Sequence, residues 1–163
     1  MTKRYLGLDL SISRPGFAVL EIKRRKPVLI FCRHIKTNAK LSHGDRLAHI
    51  KAHVDALRYD YGPFDAVIRE KAFHNARVNA TAGGYKVAGI IDYTLRGYDI
   101  VEIANSTVKK SLTDNGRADK WEVEREVKRW FPSQDFKTDD ESDAVAVCLT
   151  YLLRENLIND ARG

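Results

Sequence analysis

The sequence has few cysteines and no long apolar run. Its 163 residues include two cysteines, Cys32 and Cys148, which lie far apart in apolar surroundings. A disulfide-rich fold is therefore excluded, and both residues are predicted to be reduced core side chains in a cytoplasmic protein. No apolar run is long enough to span a bilayer, and the N-terminus leads directly into a strand pattern. We therefore expect neither a membrane segment nor a signal peptide.

Repeats, low-complexity tracts and linker-like segments are also missing from the sequence. The length suits one domain with a sizeable core, and 44% hydrophobic with 31% charged residues is ordinary for a globular protein. We therefore predict a single domain over residues 1–163.

Positive charge, in contrast, is in excess. The sequence holds 28 Lys and Arg against 22 Asp and Glu, a formal net charge of +6. This balance favours a polyanionic partner, most often nucleic acid, although it could also serve solubility alone.

The hydrophobic pattern predicts five strands and five helices. Three apolar runs with short links suggest an antiparallel β-meander, and strand–helix units follow it. The predicted strands are Tyr5–Leu10, Phe17–Ile22, Val28–Cys32, Asp65–Arg69 and Tyr98–Ile103. The predicted helices are Asp45–Tyr61, Val78–Leu95, Asn105–Lys110, Lys120–Trp130 and Thr138–Leu153. This order predicts an α/β fold: a mixed five-stranded sheet, a meander plus two parallel strands, flanked by helices on both faces.

Local signals mark two helix starts. Asn105 can cap the short helix that follows the fifth strand, and Thr138 with Glu141 has the spacing of a capping box. Trp121 and Trp130 are expected to pack in the core.

Acidic residues follow two strands and open the last helix. Asp9 ends the first strand and Glu70 ends the fourth, so both lie at one sheet edge if these strands are adjacent and parallel. Asp140 and Asp143 are three residues apart and share a helix face. Packing that helix beside the same edge would bring the four carboxylates together.

Four carboxylates cannot lie together unpaired without strong repulsion or raised pKa values, and divalent cations would remove this conflict. Hard oxygen ligands suit Mg²⁺, with Mn²⁺ as a substitute, and a basic protein with such a site suggests two-metal phosphodiester cleavage. Each acid also has a structural alternative. Asp9 could form a turn, Glu70 could pair with Arg69 or Lys71, and the helix acids could complement the helix dipole. Asp139 is the expected dipole residue.

Four segments together resemble the RuvC family of Holliday-junction resolvases, within the RNase H-like superfamily. "LGLDLS" resembles the first-strand acid motif and "REKAFHN" the second-acid loop with its aromatic residue. "DDESDAVAVCLTYL" is similar to the terminal helix, with Asp140 and Asp143 at the matching positions. "VKKSLTDNGRADKWEV" resembles the segment that carries two family lysines, here Lys109 and Lys120.

The resemblance implies an RNase H-like fold and a homodimer that nicks two strands of a four-way DNA junction symmetrically. It implies that Asp9, Glu70, Asp140 and Asp143 hold metal and that both lysines are catalytic. Phe73 would stack on a base in the junction centre. The expected DNA contacts are Lys71, Phe73, His74, Asn75, Arg77 and Arg117.

The first acid motif, Gly7-Leu8-Asp9-Leu10-Ser11, resembles phage-like versions of the family more than the bacterial G-I-D-P-G. The resemblance therefore places the protein in the cytoplasm of a bacterial or phage-infected cell, with no nucleotide cofactor. Other branched DNAs are possible substrates besides four-way junctions.

Three other functions remain open on sequence grounds. They are an RNA-directed nuclease of the related YqgF type, a junction-binding protein without catalysis, and a small actin-like or sugar-kinase-like ATP-binding module. Against the ATP-binding alternative, the sequence shows neither the second domain of those folds nor a glycine-rich phosphate loop.

Three weaker patterns concern metal, assembly and charge. Asp45, His49 and His53 could form a transition-metal site, but a solvated helix face is the stronger interpretation. The small residues of Val78–Leu95 could serve a dimer interface or tight packing on the sheet. The basic run 23–26 is expected to be a solvated hairpin tip.

Overall fold

The computed structural model describes residues 2–71 and 78–160, with the backbone alone for residues 78–81. Within these ranges the chain forms the predicted order of strands and helices. The elements are β1 (Arg4–Asp9), β2 (Gly16–Lys23), β3 (Lys26–His34), α1 (His43–Tyr61), β4 (Ala66–Glu70), α2 (Val78–Thr94), β5 (Ile100–Ile103), α3 (Asn105–Thr113), α4 (Lys120–Trp130) and α5 (Asp139–Arg154).

The five strands form one mixed sheet in the order β3-β2-β1-β4-β5. Strands β1, β2 and β3 pair antiparallel, whereas β4 pairs parallel with both β1 and β5. The predicted meander with two parallel strands is therefore confirmed, and the carboxyl ends of β1, β4 and β5 lie at one edge of the sheet.

A hydrophobic core lies on each face of the sheet because side chains alternate along every strand. Leu6 and Leu8 of β1 point into the core beneath α1 and α2. Tyr5 belongs to the opposite core, which α3, α4 and α5 cover. Fully burying a leucine contributes about 1.5–3 kcal/mol, so these two cores hold the sheet and its edge in place.

Two glycines allow α5 to lie directly on the meander. A Cβ at Gly7 would stand 2.2 Å from the carbonyl oxygen of Ala144, and one at Gly16 would stand 1.9 Å from that of Asp140. Any side chain at either position would therefore push α5 away from β1 and β2. This close approach brings the acidic first turn of α5 next to the end of β1.

The capping prediction for Asn105 is wrong, and the prediction for Thr138 is right about the helix start but wrong about the capping hydrogen bonds. The Asn105 side chain does not cap α3, which runs on to Thr113 and has Ala104 as its N-cap. Thr138 is the N-cap of α5, but its side chain makes no capping hydrogen bond. The Glu141 carboxylate instead accepts from the backbone N–H of Lys137 at 3.2 Å and contacts His34 Nδ1 at 2.6 Å. Tertiary contacts therefore hold the Glu141 side chain that the local pattern assigned to a cap, whereas the buried Thr138 hydroxyl has no hydrogen-bond partner among the described residues.

The prediction that both tryptophans pack in the core is wrong for Trp121. Its side chain is 57% exposed, whereas Trp130 is partly buried and packs against the core. The expected solvated face of α1 is interrupted by His53, whose ring lies edge-on to Phe17 at a centroid distance of 4.6 Å. Burial of this ring lowers the pKa of His53.

The β2–β3 connection is an exposed hairpin tip, as predicted. Arg24 and Arg25 adopt φ values of 51° and 61°, which suit a two-residue hairpin turn. The Arg25 side chain donates to Asn159 Oδ1 at 2.8 Å, so the tip also contacts the C-terminal segment.

Of the helices that the structure describes, none is both long enough and apolar enough to span a lipid bilayer.

Candidate active site

Asp9 and Glu70 stand side by side at the carboxyl edge of the sheet. Leu8 of β1 pairs with Arg69 of β4 in parallel register, so the next residue of each strand is an acid. Arg69 itself is buried and binds Asp92 at 2.8 Å on the other side of the strand. Among the described residues, neither Arg69 nor Lys71 forms an ion pair with Glu70, so the surface-pair alternative for this acid finds no support.

Helix α5 contributes the other acids from its first two turns. Its tight contact with Gly16 sets Asp140 close to the start of β2, opposite the end of β1. Asp140 shares a side-chain hydrogen bond with Asp9, and Asp143 lies one turn further along the same face. The helix N-terminus also favours negative charge at this position.

A cavity of about 280 Å³ opens between the sheet edge and helices α3, α4 and α5. Three of the four predicted acids line it, and both predicted lysines line it as well. The lining residues are Asp9, Glu70, Asn105, Val108, Lys109, Lys120, Val123, Asp143 and Ala146. Residues from five separate elements thus converge on one polar pocket.

Burial and mutual repulsion perturb the acids of this cavity. Burial, together with the charges of Asp143, Asp140 and Glu70, raises the pKa of Asp9 from 3.8 to about 8. Burial also raises the pKa of Asp143 to about 6, although the Lys120 charge opposes the shift. The pKa of Glu70 is raised by burial, against a hydrogen bond from Asn105 and the charges of two lysines. Such shifts are typical of functional sites.

Lys120 reaches into the acidic cluster from the start of α4. Its Nζ lies 3.0 Å from Asp139 Oδ2 and 3.3 Å from Asp143 Oδ2. Burial alone would lower the pKa of Lys120, but its hydrogen bonds with these two carboxylates raise the pKa instead. Within the described part of the chain its ion pairs are with these acids and not with Glu124, the partner that an ordinary helix-surface lysine would use.

Asp139 therefore does more than complement the helix dipole. Its hydrogen bond with Lys120 lowers the pKa of its carboxyl group. The side chain stays about half exposed, so this ion pair lies at the rim of the cavity.

The sequence reasoning missed two residues of the site. Asn105 donates from Nδ2 to Glu70 Oε2 at 3.2 Å, and Arg14 donates from Nε to Asp140 Oδ2. The position of Asn105, just after β5 at the same sheet edge, was an available signal. Arg14 gave none, because its partner is 126 residues away in sequence.

The loop that carries Arg14 is held by its own hydrogen bonds. The backbone N–H of Arg14 donates to Ser11 Oγ at 2.8 Å, and Arg46 Nε donates to Thr37 Oγ1 at 2.9 Å. Arg46 and Thr37 are both buried beneath the loop, where Thr37 Oγ1 also donates to the carbonyl of Ile12 at 2.5 Å. Arg14 is therefore presented to Asp140 from an anchored loop.

The predicted DNA contacts are only partly visible. Lys71 and Arg117 are exposed, Lys71 directly after Glu70 and Arg117 in the loop before α4. The predicted contacts Phe73, His74, Asn75 and Arg77 lie outside the described residues.

In residues 2–71 and 78–160, no three His, Cys, Asp or Glu side chains already form a group that could hold a metal ion. This applies to Asp45, His49 and His53, which therefore form no transition-metal site. In the acidic cavity, side-chain cations already pair with two of the four acids: Arg14 with Asp140, and Lys120 with Asp143.

Comparison with known proteins agrees with this architecture. The sequence model of the family described as crossover junction endodeoxyribonuclease RuvC matches residues 5–151. A protein of that name from Synechococcus sp. (strain RCC307) is 33% identical over 153 residues, which cover 90% of this chain and 96% of the relative. The protein of the same name from Prochlorococcus marinus subsp. pastoris is 30% identical over 93% of this chain and 98% of its own length. These relatives are bacterial and do not support the expected phage-like origin.

A solved structure shares the fold. T. thermophilus RuvC in complex with a Holliday junction substrate superposes with a TM-score of 0.86 at 22% identity, covering 95% of this chain and 96% of that one. The extent of the sequence match decides between the alternatives left open by the sequence and gives no support to the RNA-directed, non-catalytic or ATP-binding ones. This chain belongs to the RuvC family of crossover junction endodeoxyribonucleases.

Proposed function

We propose that this protein resolves four-way DNA junctions and other branched DNA by metal-dependent paired nicks, with residues 1–163 acting as a single nuclease domain. The observation that carries the proposal is the cavity itself. Three acids from separate elements line it together with two lysines, and burial together with the charges of the neighbouring carboxylates raises the pKa of Asp9 to about 8.

The donor set fits a hard divalent cation. Asp9, Glu70 and Asp143 offer carboxylate oxygens to one cavity, and Asp140 stands in contact with Asp9. Oxygen-only ligands of this kind suit Mg²⁺, and Mn²⁺ can substitute. When bound, the metal supplies Lewis-acid activation of the phosphate and of a nucleophilic water. The four acids would hold it, and Asn105 would orient Glu70 through its amide hydrogen bond.

The two lysines would stabilise the negative charge of the scissile phosphate. Lys109 lines the cavity beside Glu70, and Lys120 already points into the acidic cluster. An ammonium group beside the scissile phosphate stabilises negative charge that develops in the transition state. Lys120 has two carboxylate partners in the free protein, so we expect it to exchange one of them for the phosphate when DNA binds.

Binding to the junction rests on positive charge around the cavity. The net charge of +6, with Lys71 and Arg117 exposed on either side of the acids, suits phosphate contacts. Phe73, His74, Asn75 and Arg77 follow Lys71 in the sequence, and we propose that they contribute further DNA contacts. We propose that Phe73 stacks on a base at the junction centre, where such a contact contributes about 1–3 kcal/mol.

We further propose a homodimer that uses α2 as its interface. The exposed positions of this helix include Tyr85, Gly89 and Tyr93, spaced four residues apart on one face. Two aromatic rings beside a glycine form a surface that a symmetric partner can cover. One active site in each subunit would then meet the two-fold symmetry of a junction. The protein would act in the cytoplasm of a bacterial cell.

The deciding experiment compares nucleic-acid substrates and metals. Labelled four-way, three-way and linear duplex DNA, and a structured RNA, are incubated with Mg²⁺, Mn²⁺ or EDTA. We expect paired nicks in the four-way junction with either metal and none in EDTA. Preferential cutting of the RNA would overturn the proposal. Sedimentation of the free and DNA-bound protein tests the dimer, which a monomer at micromolar concentration in both samples would refute.

A further inference from the structure

One side of helix α4 faces away from the active site and is exposed to solvent. Val123 and Val127 of this helix are buried against the core, and Lys120 at its first position points into the cavity. The remaining side forms a shallow depression of about 530 Å³. We name it the α4 outer surface; it is lined by Trp121, Glu124, Arg125, Lys128, Arg129 and Pro132.

Trp121 is the unusual member of the α4 outer surface. Its side chain is 57% exposed although it directly follows Lys120, whose ammonium group lies among the active-site acids. The Arg125 guanidinium stands 5.0 Å from the centre of the indole ring. A cation–π contact of this kind orders an exposed ring and leaves its other face available for a ligand.

The charges around the Trp121 ring indicate which kind of ligand the surface would bind. Three cations, Arg125, Lys128 and Arg129, line the surface with one acid, Glu124. Arg129 and Arg125 are partly committed, because they lie 3.2 Å and 3.9 Å from the buried carboxylate of Glu126, while Lys128 lies on the same surface. The balance remains positive, and exposed Arg117 extends it toward the start of the helix. An apolar ring among cations suits a sugar–phosphate backbone, which offers deoxyribose carbon and phosphate oxygen in alternation.

We infer that the α4 outer surface binds the sugar–phosphate backbone of a duplex arm as that arm leaves the catalytic cavity. The inference rests on the proposed function, since the cavity defines where the arm begins. Helix α4 has 11 residues. At 1.5 Å per residue it is about 16 Å long, which matches about five base pairs of DNA at 3.4 Å each. The surface would therefore set affinity for the arm without touching the scissile phosphate.

Tryptophan fluorescence tests this directly, because the chain has only two tryptophans. In a Trp130→Phe background, Trp121 is the single emitter. The protein is titrated in EDTA with a four-way junction and, separately, with linear duplex, while acrylamide reports access to the ring. We expect DNA to shift the emission and to reduce acrylamide quenching by at least about twofold. Unchanged emission and quenching at saturating DNA would overturn the inference.

Variants separate this surface from catalysis. Trp121→Ala and Arg125→Gln should weaken junction binding about threefold to tenfold, while single-turnover cleavage at saturating DNA stays within about twofold of the parent. Arg125→Gln should also reduce the slope of log affinity against log salt by about one. Tyr59→Ala, which removes a 90% exposed ring from α1, is the matched control and should change neither. Equal losses in Tyr59→Ala and Trp121→Ala would overturn the inference.

Two further outcomes keep the proposals distinct. Protection of Trp121 by linear duplex, with no cleavage of any junction, would support the surface and overturn the nuclease. A ring already shielded from acrylamide in the free protein at micromolar concentration would indicate that a second copy covers it, which would overturn the inference and leave the nuclease standing.

Discussion

Charged side chains lie at both ends of strands β1 and β4. Those at the amino end are paired, whereas those at the carboxyl end are clustered acids. At the amino end, Arg4 donates to Glu21 Oε1 at 2.9 Å and to the Tyr61 carbonyl at 3.0 Å. Its backbone N–H donates to Asp65 Oδ2 at 2.8 Å. Each charge there meets a partner of opposite sign or a hydrogen-bonding group, which is how buried charge is normally tolerated.

At the carboxyl end, acids face acids. Asp9 stands near Asp140, Asp143 and Glu70, and its pKa rises to about 8 as a result of burial and these charges. The sheet that stabilises one end by pairing therefore holds the other end in an unfavourable state. Strain of this kind persists only where packing enforces it, and it identifies the carboxyl end as the functional one.

The largest effect should come from removing an acid at the carboxyl end. We expect Asp9→Asn, Glu70→Gln or Asp143→Asn to lower junction cleavage by at least about 10³-fold, since bound metal supplies several kcal/mol of transition-state stabilisation. Junction binding should survive, because it rests on phosphate contacts. Asp65→Asn at the amino end is the control and should cleave like the parent. Strong residual cleavage in all three variants would remove these acids from the mechanism.

Lys120→Met should have the next largest effect. We expect single-turnover cleavage of a saturated junction to fall by about 10²-fold, the usual loss when one group that stabilises transition-state charge is removed. Lys3→Met, an exposed lysine at the amino end of β1, is the matched control. A rate within about twofold of the parent would show that Lys120 contributes to binding alone.

The stability of the metal-free protein should depend on pH through Asp9. Its folded pKa of about 8 exceeds its ordinary value of 3.8, so the folded protein binds more protons between these values and loses stability as pH rises through them. Asp9→Asn should therefore raise the melting temperature at pH 8 by about 3 °C or more and flatten the pH dependence.

The same measurement sharpens the comparison of the two ends. Arg4→Met should lower the melting temperature, because it leaves the buried Glu21 carboxylate without its closest cation. A stabilising Arg4→Met together with a destabilising Asp9→Asn would reverse the assignment of the satisfied and strained ends.

Arg14→Gln should have the smallest effect. Arg14 pairs with Asp140, so it would compete with a metal ion held there as proposed, and an ion pair this exposed contributes about 0.2–1 kcal/mol. We therefore expect the variant to bind Mn²⁺ about two to five times more tightly in a calorimetric titration without DNA. Lys26→Gln on the hairpin tip controls for net charge and should leave the affinity unchanged. Weaker binding in Arg14→Gln would show that Arg14 supports the metal ligands instead of competing with them.

The sequence by itself determined the element order, the meander and the positions of the acids at element ends. Local periodicity predicts strands and helices, and parallel adjacency of β1 and β4 then places Asp9 beside Glu70 at one edge. The three-residue spacing of Asp140 and Asp143 likewise predicts a shared helix face. Each of these features depends on neighbours within a few residues or on one strand pairing.

Only the tertiary structure decided which side chains meet. Arg14 and Asp140 are 126 residues apart, and their contact requires Gly16 to admit α5 against the sheet. Asn105 donates to Glu70 instead of capping α3, and Trp121 is exposed instead of packing in the core. Local sequence makes α3 and α4 helical, but hydrophobic packing sets the orientation of both helices. Helical propensity is local, but the direction a helix face takes is set by the apolar surface it buries, and that surface exists only in the folded chain.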